Sequence, residues 1–287
     1  MPLDPKPLAP ALGAEITGVD LAATVDGALL AQIRAALLEH QVLVFRDQTL
    51  APEQQIAFAR LFGELQIRIS PKFLMSEHNE ILILSNRVVD GKEQGASTAY
   101  AGEFWHSDLT YAARPSMGSM LHALEVAEEG GDTAWANSAL AYDTLPAETR
   151  RRIEGLRAIH VRDRQRNPRT PLPEEFAEEA GEYYSIEVPD GIHPVVRTHP
   201  ETGHRSLFVS PRFTIAIEGM DDSEAQPLLD ELFAHQIRPD FIYRHIWRRG
   251  DLVFWDNRCT THFACGGIVP PGIRHLHRTS VQGDVPF

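Results

Sequence analysis

The chain has 287 residues, of which 43% are hydrophobic and 23% are charged, and its formal net charge is −13. This composition suits a globular protein with a large core, and no apolar run approaches the roughly 18 residues that a membrane span needs. The acidic balance disfavours nucleic acid as a main partner, because phosphate backbones repel a strongly negative protein.

The first residues and the cysteines indicate the compartment. The segment from Met1 to Leu12 is rich in proline and lacks the basic start and apolar stretch of a signal peptide. Cys259 and Cys265 are too few for a disulfide framework, and their spacing differs from that of structural zinc sites. We therefore expect a cytoplasmic protein with two reduced thiols.

The N-terminal third has the pattern of mixed α and β structure. Apolar residues at helical spacing predict a helix over Leu29–Leu38, and the apolar run Gln41–Phe45 predicts a short buried strand. A second helix is expected to begin near Pro52, where proline is tolerated, and to end near Phe62. Gly63 would stop it.

From about Glu103 onward, short apolar runs alternate with turn residues, which predicts many strands. Two pairs of runs are predicted to form hairpins, one around the turn Pro200–Gly203 and one around Arg249-Gly250. Many short strands favour a jelly roll, interrupted by helices near residues 147–156 and 223–236. The predicted strands are Glu103–Tyr111, Ser116–Val126, Gly131–Asn137, His193–Thr198, Arg205–Val209, Phe241–Trp247, Asp251–Trp255 and Arg274–Val281.

The segment 162–191 differs from its surroundings, because it is rich in charge and proline. Long irregular segments inside compact domains are usually lids or solvated insertions. Both interpretations stay open for this segment, within a single domain that covers residues 1–287.

His106-Ser-Asp108 is the first candidate for a metal site. Residues two apart in a strand point to the same face, so the imidazole and the carboxylate would converge. Two such ligands and a histidine from elsewhere form a facial triad, which leaves three adjacent positions open for iron and oxygen chemistry. The motif alone is weak, and two rival triplets exist. The triplet at His78 begins a strand but has no aromatic or apolar wall before it, and the triplet at His199 lies in a turn where Pro200 breaks the alternation.

His262 is the best candidate for the third ligand. It follows a buried apolar strand and a polar turn, where functional residues concentrate, although a surface histidine would fit the same pattern. Arg274 and Arg278 lie four apart in an alternating run, so both guanidinium groups would share one face. Inward arginines are costly unless anions meet them, whereas a surface ion-pair face would cost little.

Several further segments complete a recognisable set of motifs. The set comprises Leu43–Arg46, Gln54–Phe58, Trp105–Asp108, Gly130–Trp135, Trp255–Arg258, His262 and His277–Thr279. In this order it resembles the family of taurine dioxygenase and 2,4-dichlorophenoxyacetate dioxygenase, which are iron(II)- and 2-oxoglutarate-dependent oxygenases. The resemblance runs from about Gly13 to Pro286 and implies a double-stranded β-helix, or jelly roll, with added helices.

The resemblance also implies roles for individual residues. Iron would be bound by His106, Asp108 and His262, and the distal carboxylate of 2-oxoglutarate by Arg274 and the hydroxyl of Thr133. Arg278 would face the anionic head of the substrate, although exchanged roles for the two arginines are open. Further candidates for the substrate pocket are Arg68, Leu109, Tyr111 and Phe213.

The implied reaction is hydroxylation of a small organic anion by O2, with succinate and CO2 as co-products. A sulfonate, an alkyl sulfate or an aryloxyalkanoate would fit an arginine and apolar walls. Family members are often dimers or tetramers, so a homo-oligomer is compatible with the resemblance.

Two other classes of protein remain open at this point. A zinc hydrolase or lyase could use the same three ligands, but no obvious general base accompanies them. A jelly roll that binds an anion without turnover is the second, since one fold hosts many functions.

Overall fold

The computed structural model describes residues 3–67, 73–96, 103–171 and 186–287. The helices of these residues are α1 (Gly27–His40), α2 (Pro52–Arg60), α3 (Ser138–Asp143), α4 (Ala147–Arg152) and α5 (Asp222–Gln236). The strands are β1 (Lys6–Pro7), β2 (Ala14–Ile16), β3 (Val42–Phe45), β4 (Leu82–Ser85), β5 (Val88–Val89), β6 (Lys92–Glu93), β7 (Ser116–Glu125), β8 (Thr133–Asn137), β9 (Arg157–His160), β10 (Gly191–Pro194), β11 (Val196–Thr198), β12 (Arg205–Leu207), β13 (Thr214–Ile217), β14 (Ile242–His245), β15 (Leu252–Asp256), β16 (Thr260–Ala264) and β17 (His275–Gln282).

Two sheets face each other and form the jelly-roll core, as predicted. The larger sheet has the order β1-β2-β3-β15-β7-β17-β4, and the smaller sheet has the order β14-β8-β16. Trp135 on β8 and Trp255 on β15 are fully buried and pack edge to face across the two sheets, with ring centroids 5.5 Å apart. Burying each such side chain contributes up to about 3 kcal/mol, so this contact helps to keep the sheets together.

Helices α1 and α2 cover the outer face of the larger sheet, and local sequence explains their limits. The side chain of Asp26 caps α1 by accepting a hydrogen bond from the Leu29 amide at 2.8 Å. Pro52 is the first residue of α2, where its missing amide hydrogen costs nothing. Both helices and the strand between them agree with the sequence prediction. No helix of the described residues is both long and apolar enough to cross a bilayer.

The predicted hairpin around Arg249-Gly250 is wrong. Strand β14 pairs with β8 in the smaller sheet, whereas β15 pairs with β3 and β7 in the larger sheet. The segment between them carries the chain from one sheet to the other. Hydrophobic alternation shows that a strand is half-buried, but it does not show which strand is its neighbour. The hairpin of β11 and β12 is confirmed.

The predicted strand Glu103–Tyr111 is also wrong. Only His106 pairs, in an isolated antiparallel bridge with His262, and a turn follows in which Leu109 has a φ of +57°. The segment therefore turns at the point where the sequence predicted continuous extension. Of the suggested lid, residues 172–185 lie outside the described part of the chain.

Candidate metal centre

His106, Asp108 and His262 come together beside β16, the edge strand of the smaller sheet that carries His262. All three are buried, and their potential ligand atoms lie within 4.8 Å of one another. The backbones of His106 and His262 exchange two hydrogen bonds, of 3.0 and 2.7 Å, so the two imidazoles lie side by side with centroids 4.1 Å apart. Asp108 is brought to them by the turn after His106, and not by strand alternation.

The protonation and orientation of His106 suit metal binding. Its Nδ1 lies 2.7 Å from the carbonyl oxygen of Phe104, to which it donates in the neutral tautomer, so the lone pair is on Nε2. Burial lowers the pKa of His106 to about 4, against the opposing attraction of the Asp108 carboxylate. The imidazole is therefore neutral near pH 7, which is the form that coordinates a metal.

The two oxygens of Asp108 have different surroundings. Oδ1 lies 3.7 Å from Nε2 of His106 and 3.6 Å from Nε2 of His262. Oδ2 contacts the guanidinium of Arg278 and accepts a hydrogen bond of 2.8 Å from the Ser119 hydroxyl. Two imidazole nitrogens and one carboxylate oxygen thus converge, which is the donor set of a facial triad for a divalent transition metal.

A cavity next to these ligands is lined by His106, His262, Thr133, Arg274 and Arg278. Arg274 is buried, and it donates to the carbonyl oxygen of Gly131 at 2.9 Å and to the Thr133 hydroxyl at 3.3 Å. Burial lowers the pKa of its guanidinium to about 10, so it is still charged at neutral pH. Among the described residues, no carboxylate forms an ion pair with Arg274.

Glycines permit the close approach that builds this cavity. Gly130 has a φ of +77°, and a Cβ atom there would lie 2.1 Å from the carbonyl oxygen of Gly267. No other residue could occupy this position without moving the loop after β16. The loop in turn contributes Ile268 to the cavity wall.

The other predicted pocket residues that the structure describes do not line this cavity. Leu109, Tyr111 and Phe213 form a small apolar cluster, and the Phe213 ring packs edge to face on His106 at 5.8 Å. The Arg212 guanidinium lies 4.5 Å from the Phe213 ring. Arg68 lies outside the described residues.

Several contacts at the site were not predicted from the sequence. Asn257 and Ser119 hold Asp108, and Trp247 donates to the Thr133 hydroxyl at 3.0 Å. Asn257 belongs to the Trp255–Arg258 motif, but the motif by itself does not indicate a role for the asparagine. Ser119 lies in a long strand, where nothing in the local sequence distinguishes it from other buried serines.

A second cluster of three buried side chains consists of His199, Asp256 and Cys259. Arg258 contacts both carboxylate oxygens of Asp256, at 2.9 Å through Nε and 2.6 Å through Nη2. Arg278 contacts only Oδ2 of Asp108, whereas Arg258 contacts both oxygens of Asp256, so this second cluster is the poorer metal site.

Comparison with known proteins gives a consistent family. The family described as taurine catabolism dioxygenase TauD, TfdA family matches residues 4–280. An alpha-ketoglutarate-dependent 2,4-dichlorophenoxyacetate dioxygenase of Cupriavidus pinatubonensis is 36% identical over 265 residues, or 90% of each chain. A sulfate ester dioxygenase of Pseudomonas putida, also alpha-ketoglutarate-dependent, is 33% identical over 99% of this chain and 91% of its own. The crystal structure of a taurine dioxygenase from Burkholderia xenovorans has a TM-score of 0.82 and 37% identity, covering 100% of this chain and 93% of its own.

Proposed function

Because this chain belongs to the TauD, TfdA family of 2-oxoglutarate-dependent dioxygenases, we propose that it hydroxylates a small organic anion with Fe(II), 2-oxoglutarate and O2. In the balanced reaction, one oxygen atom of O2 enters a C–H bond of the substrate. The other enters the carboxylate of succinate, and the carbon lost from 2-oxoglutarate leaves as CO2.

The main support is Arg274. A buried guanidinium without a carboxylate partner among the described residues is costly, and an anionic ligand removes this cost. Arg274 and Thr133 line one cavity with His106 and His262, so a dicarboxylate bound by Arg274 at one end would extend towards the histidines. Arginine suits this role because its planar fork binds a carboxylate through two hydrogen bonds.

Iron is proposed to be bound by His106, Asp108 and His262, whose donor set and the tautomer of His106 fit a divalent metal. When bound, iron and 2-oxoglutarate supply the oxidising chemistry, and the protein supplies position.

The substrate is proposed to bind on the side of His106 that carries Phe213, Tyr111 and Leu109, an apolar wall that would place a C–H bond near the metal. Arg278 lines the cavity next to the triad and would hold the anionic head of the substrate. Arg68 is a second proposed contact for this charge.

The class of substrate is proposed from the relatives. Their names specify 2,4-dichlorophenoxyacetate, sulfate esters and taurine, which all join an anionic group to a small organic body. We place the substrate of this chain among sulfonates, alkyl sulfates and aryloxyalkanoates. Hydroxylation of a carbon that carries the ether or sulfate oxygen, or the sulfonate sulfur, would let the product collapse to a carbonyl compound and a leaving group.

A panel of these three classes tests the proposal, with succinate formation and O2 uptake recorded together. We expect at least one compound to stimulate both in equal amounts, and we expect Asp108→Ala to lose both activities. Turnover without O2 or 2-oxoglutarate, using zinc, would instead identify a hydrolase or lyase. A protein that binds the anions and never decarboxylates 2-oxoglutarate would contradict the proposal.

A further inference from the structure

Three side chains contact one oxygen of Asp108 and leave the other directed at the imidazoles. The side-chain amide of Asn257 donates to Oδ2 of Asp108 at 3.2 Å, and the Ser119 hydroxyl donates to the same oxygen at 2.8 Å. The Arg278 guanidinium also contacts Oδ2. We propose that Asn257 and Ser119 are positioning residues that make Asp108 bind the metal through Oδ1 alone. This rests on the proposed metal site and explains how that site keeps room for its ligands.

The orientation of Asn257 is fixed by its other contacts. Its side-chain oxygen accepts hydrogen bonds from the Trp255 indole at 3.0 Å and from the Asp108 amide at 3.2 Å. The amide nitrogen must therefore point to the opposite side, where it donates to Oδ2 of Asp108 and to the Ser119 hydroxyl at 3.3 Å. If the oxygen and nitrogen of the Asn257 side chain were exchanged, these hydrogen bonds would be lost and the oxygen would face the Asp108 carboxylate.

The backbone around Asn257 is also held firmly. The backbone N–H of Asn257 donates to the carbonyl oxygen of Met117 at 2.8 Å. This hydrogen bond connects the turn to β7, the strand that carries Ser119. On the far side of the turn, Arg258 binds Asp256 through two hydrogen bonds. Both positioning residues are thus part of the rigid sandwich, so their donors reach Asp108 in a set geometry.

Arg278 acts differently from these two neutral donors. It lines the cavity, and as a charged group it is attracted to any anion that enters. Asn257 and Ser119 lie behind the carboxylate, and they keep Oδ2 occupied when Arg278 turns to a ligand. A carboxylate that bound through both oxygens would fill a further coordination position, and a facial triad needs three positions open.

The test compares metal binding by wild type, Ser119→Ala and Asn257→Asp. Asn257→Asp keeps the shape of the side chain and replaces its donor with a negative oxygen facing Asp108. Ser116→Ala is the matched control, because Ser116 lies buried on the same strand and donates to Gln66, not to Asp108. Circular dichroism confirms that each variant is folded, and Ser119→Ala, the milder change, keeps the test informative if Asn257→Asp does not fold.

Co(II) is the probe, added to the metal-free protein and followed by its visible absorption, which depends on coordination number. We expect affinity to fall by roughly 10- to 100-fold in both variants, with an altered spectrum, and to remain unchanged in Ser116→Ala. Wild-type affinity and spectrum in the variants would overturn the positioning role and leave the proposed function intact. Equal losses in Ser116→Ala would also overturn it, by showing a general effect of destabilisation. A wild-type protein that binds no Co(II) would overturn the metal site itself.

Discussion

The two clusters of potential metal ligands differ in how their charges are balanced. His106, Asp108 and His262 form one cluster, and His199, Asp256 and Cys259 form the other; in each, three buried side chains have potential ligand atoms within 4.8 Å of one another. In the first, Oδ1 of Asp108 faces two imidazole nitrogens. In the second, Arg258 neutralises Asp256 through both oxygens.

His106 in the first cluster and His199 in the second carry their protons on opposite nitrogens. Nδ1 of His106 donates to the Phe104 carbonyl, which leaves Nε2 as the free lone pair. Nδ1 of His199 accepts from the amides of Glu201 and Thr202, so Nε2 carries the proton and donates to Asp256 at 3.1 Å. Burial also raises the pKa of the Cys259 thiol, which disfavours the thiolate that binds metals. Proximity of ligand-type residues is therefore not enough for a metal site.

The largest expected effect is on metal affinity, which should depend on the first cluster and not on the second. Asp108→Ala should lower Co(II) affinity by more than about 100-fold, because it removes a ligand and not a support for one. His199→Ala and Cys259→Ala should bind Co(II) like wild type. Calorimetric titration of the metal-free proteins measures all three. If His199→Ala lost binding as fully as Asp108→Ala, the assignment of the metal to the first cluster would be wrong.

Arg258→Met should have the next largest effect, on stability. It leaves the Asp256 carboxylate buried without its guanidinium partner, which costs about 3–5 kcal/mol in the free energy of unfolding. Arg205→Met is the control, since its ion pair with Glu154 is at the surface and contributes about 1 kcal/mol or less. Urea unfolding measures both variants, and equal losses would show that the second cluster is not a structural ion pair.

Arg258 and Arg274 are both buried, but their guanidinium groups differ in partner. Arg258 is paired with the carboxylate of Asp256 inside the protein, whereas Arg274 is proposed to bind a carboxylate of 2-oxoglutarate. Losing a charge-assisted hydrogen bond costs about 1.5–3 kcal/mol, so Arg274→Ala should raise the KM for 2-oxoglutarate by roughly 10- to 100-fold. The KM for the substrate should change much less.

Arg244→Ala is the control for this measurement, because Arg244 is exposed and pairs with Asp132. Succinate formation at varied 2-oxoglutarate concentration gives the KM values. Equal increases in the two KM values of Arg274→Ala would indicate that Arg274 and Arg278 share or exchange their roles.

The smallest expected effect concerns a buried imidazole outside both clusters. Burial, with a smaller contribution from His193, lowers the pKa of His160 to about 3. Between pH 6.5 and 3 the unfolded chain binds a proton that the native state does not, so stability falls as the pH falls through this range. His160→Gln should therefore show a weaker loss of stability between pH 7 and pH 5.

Urea unfolding at pH 7, 6 and 5 measures this dependence. His204→Gln, a change at an exposed histidine, should keep the wild-type dependence on pH. An unchanged slope in His160→Gln would mean that other groups cause the acid sensitivity.

Local pattern was enough to predict much of the fold. Helices α1 and α2, the hairpin of β11 and β12 and the buried strand β15 agree with the prediction, because helical spacing, turn residues and apolar runs act over a few residues. The pairing of β14 with β8 could not be predicted in this way, since the partner strand lies more than 100 residues away. Partner choice depends on which faces can be buried together across the whole chain.

The same division holds at the candidate site. The sequence predicted His106, Asp108 and His262 as metal ligands and, through the family resemblance, Thr133 and Arg274 as contacts of 2-oxoglutarate; these roles stay predictions. The tertiary structure decided how they meet: a backbone bridge joins His106 to His262, and a turn supplies Asp108. It also decided that one oxygen of Asp108 faces two imidazole nitrogens, whereas both oxygens of Asp256 contact a guanidinium. Hydrogen-bond direction and burial control that choice, and both arise from contacts between residues far apart in the chain.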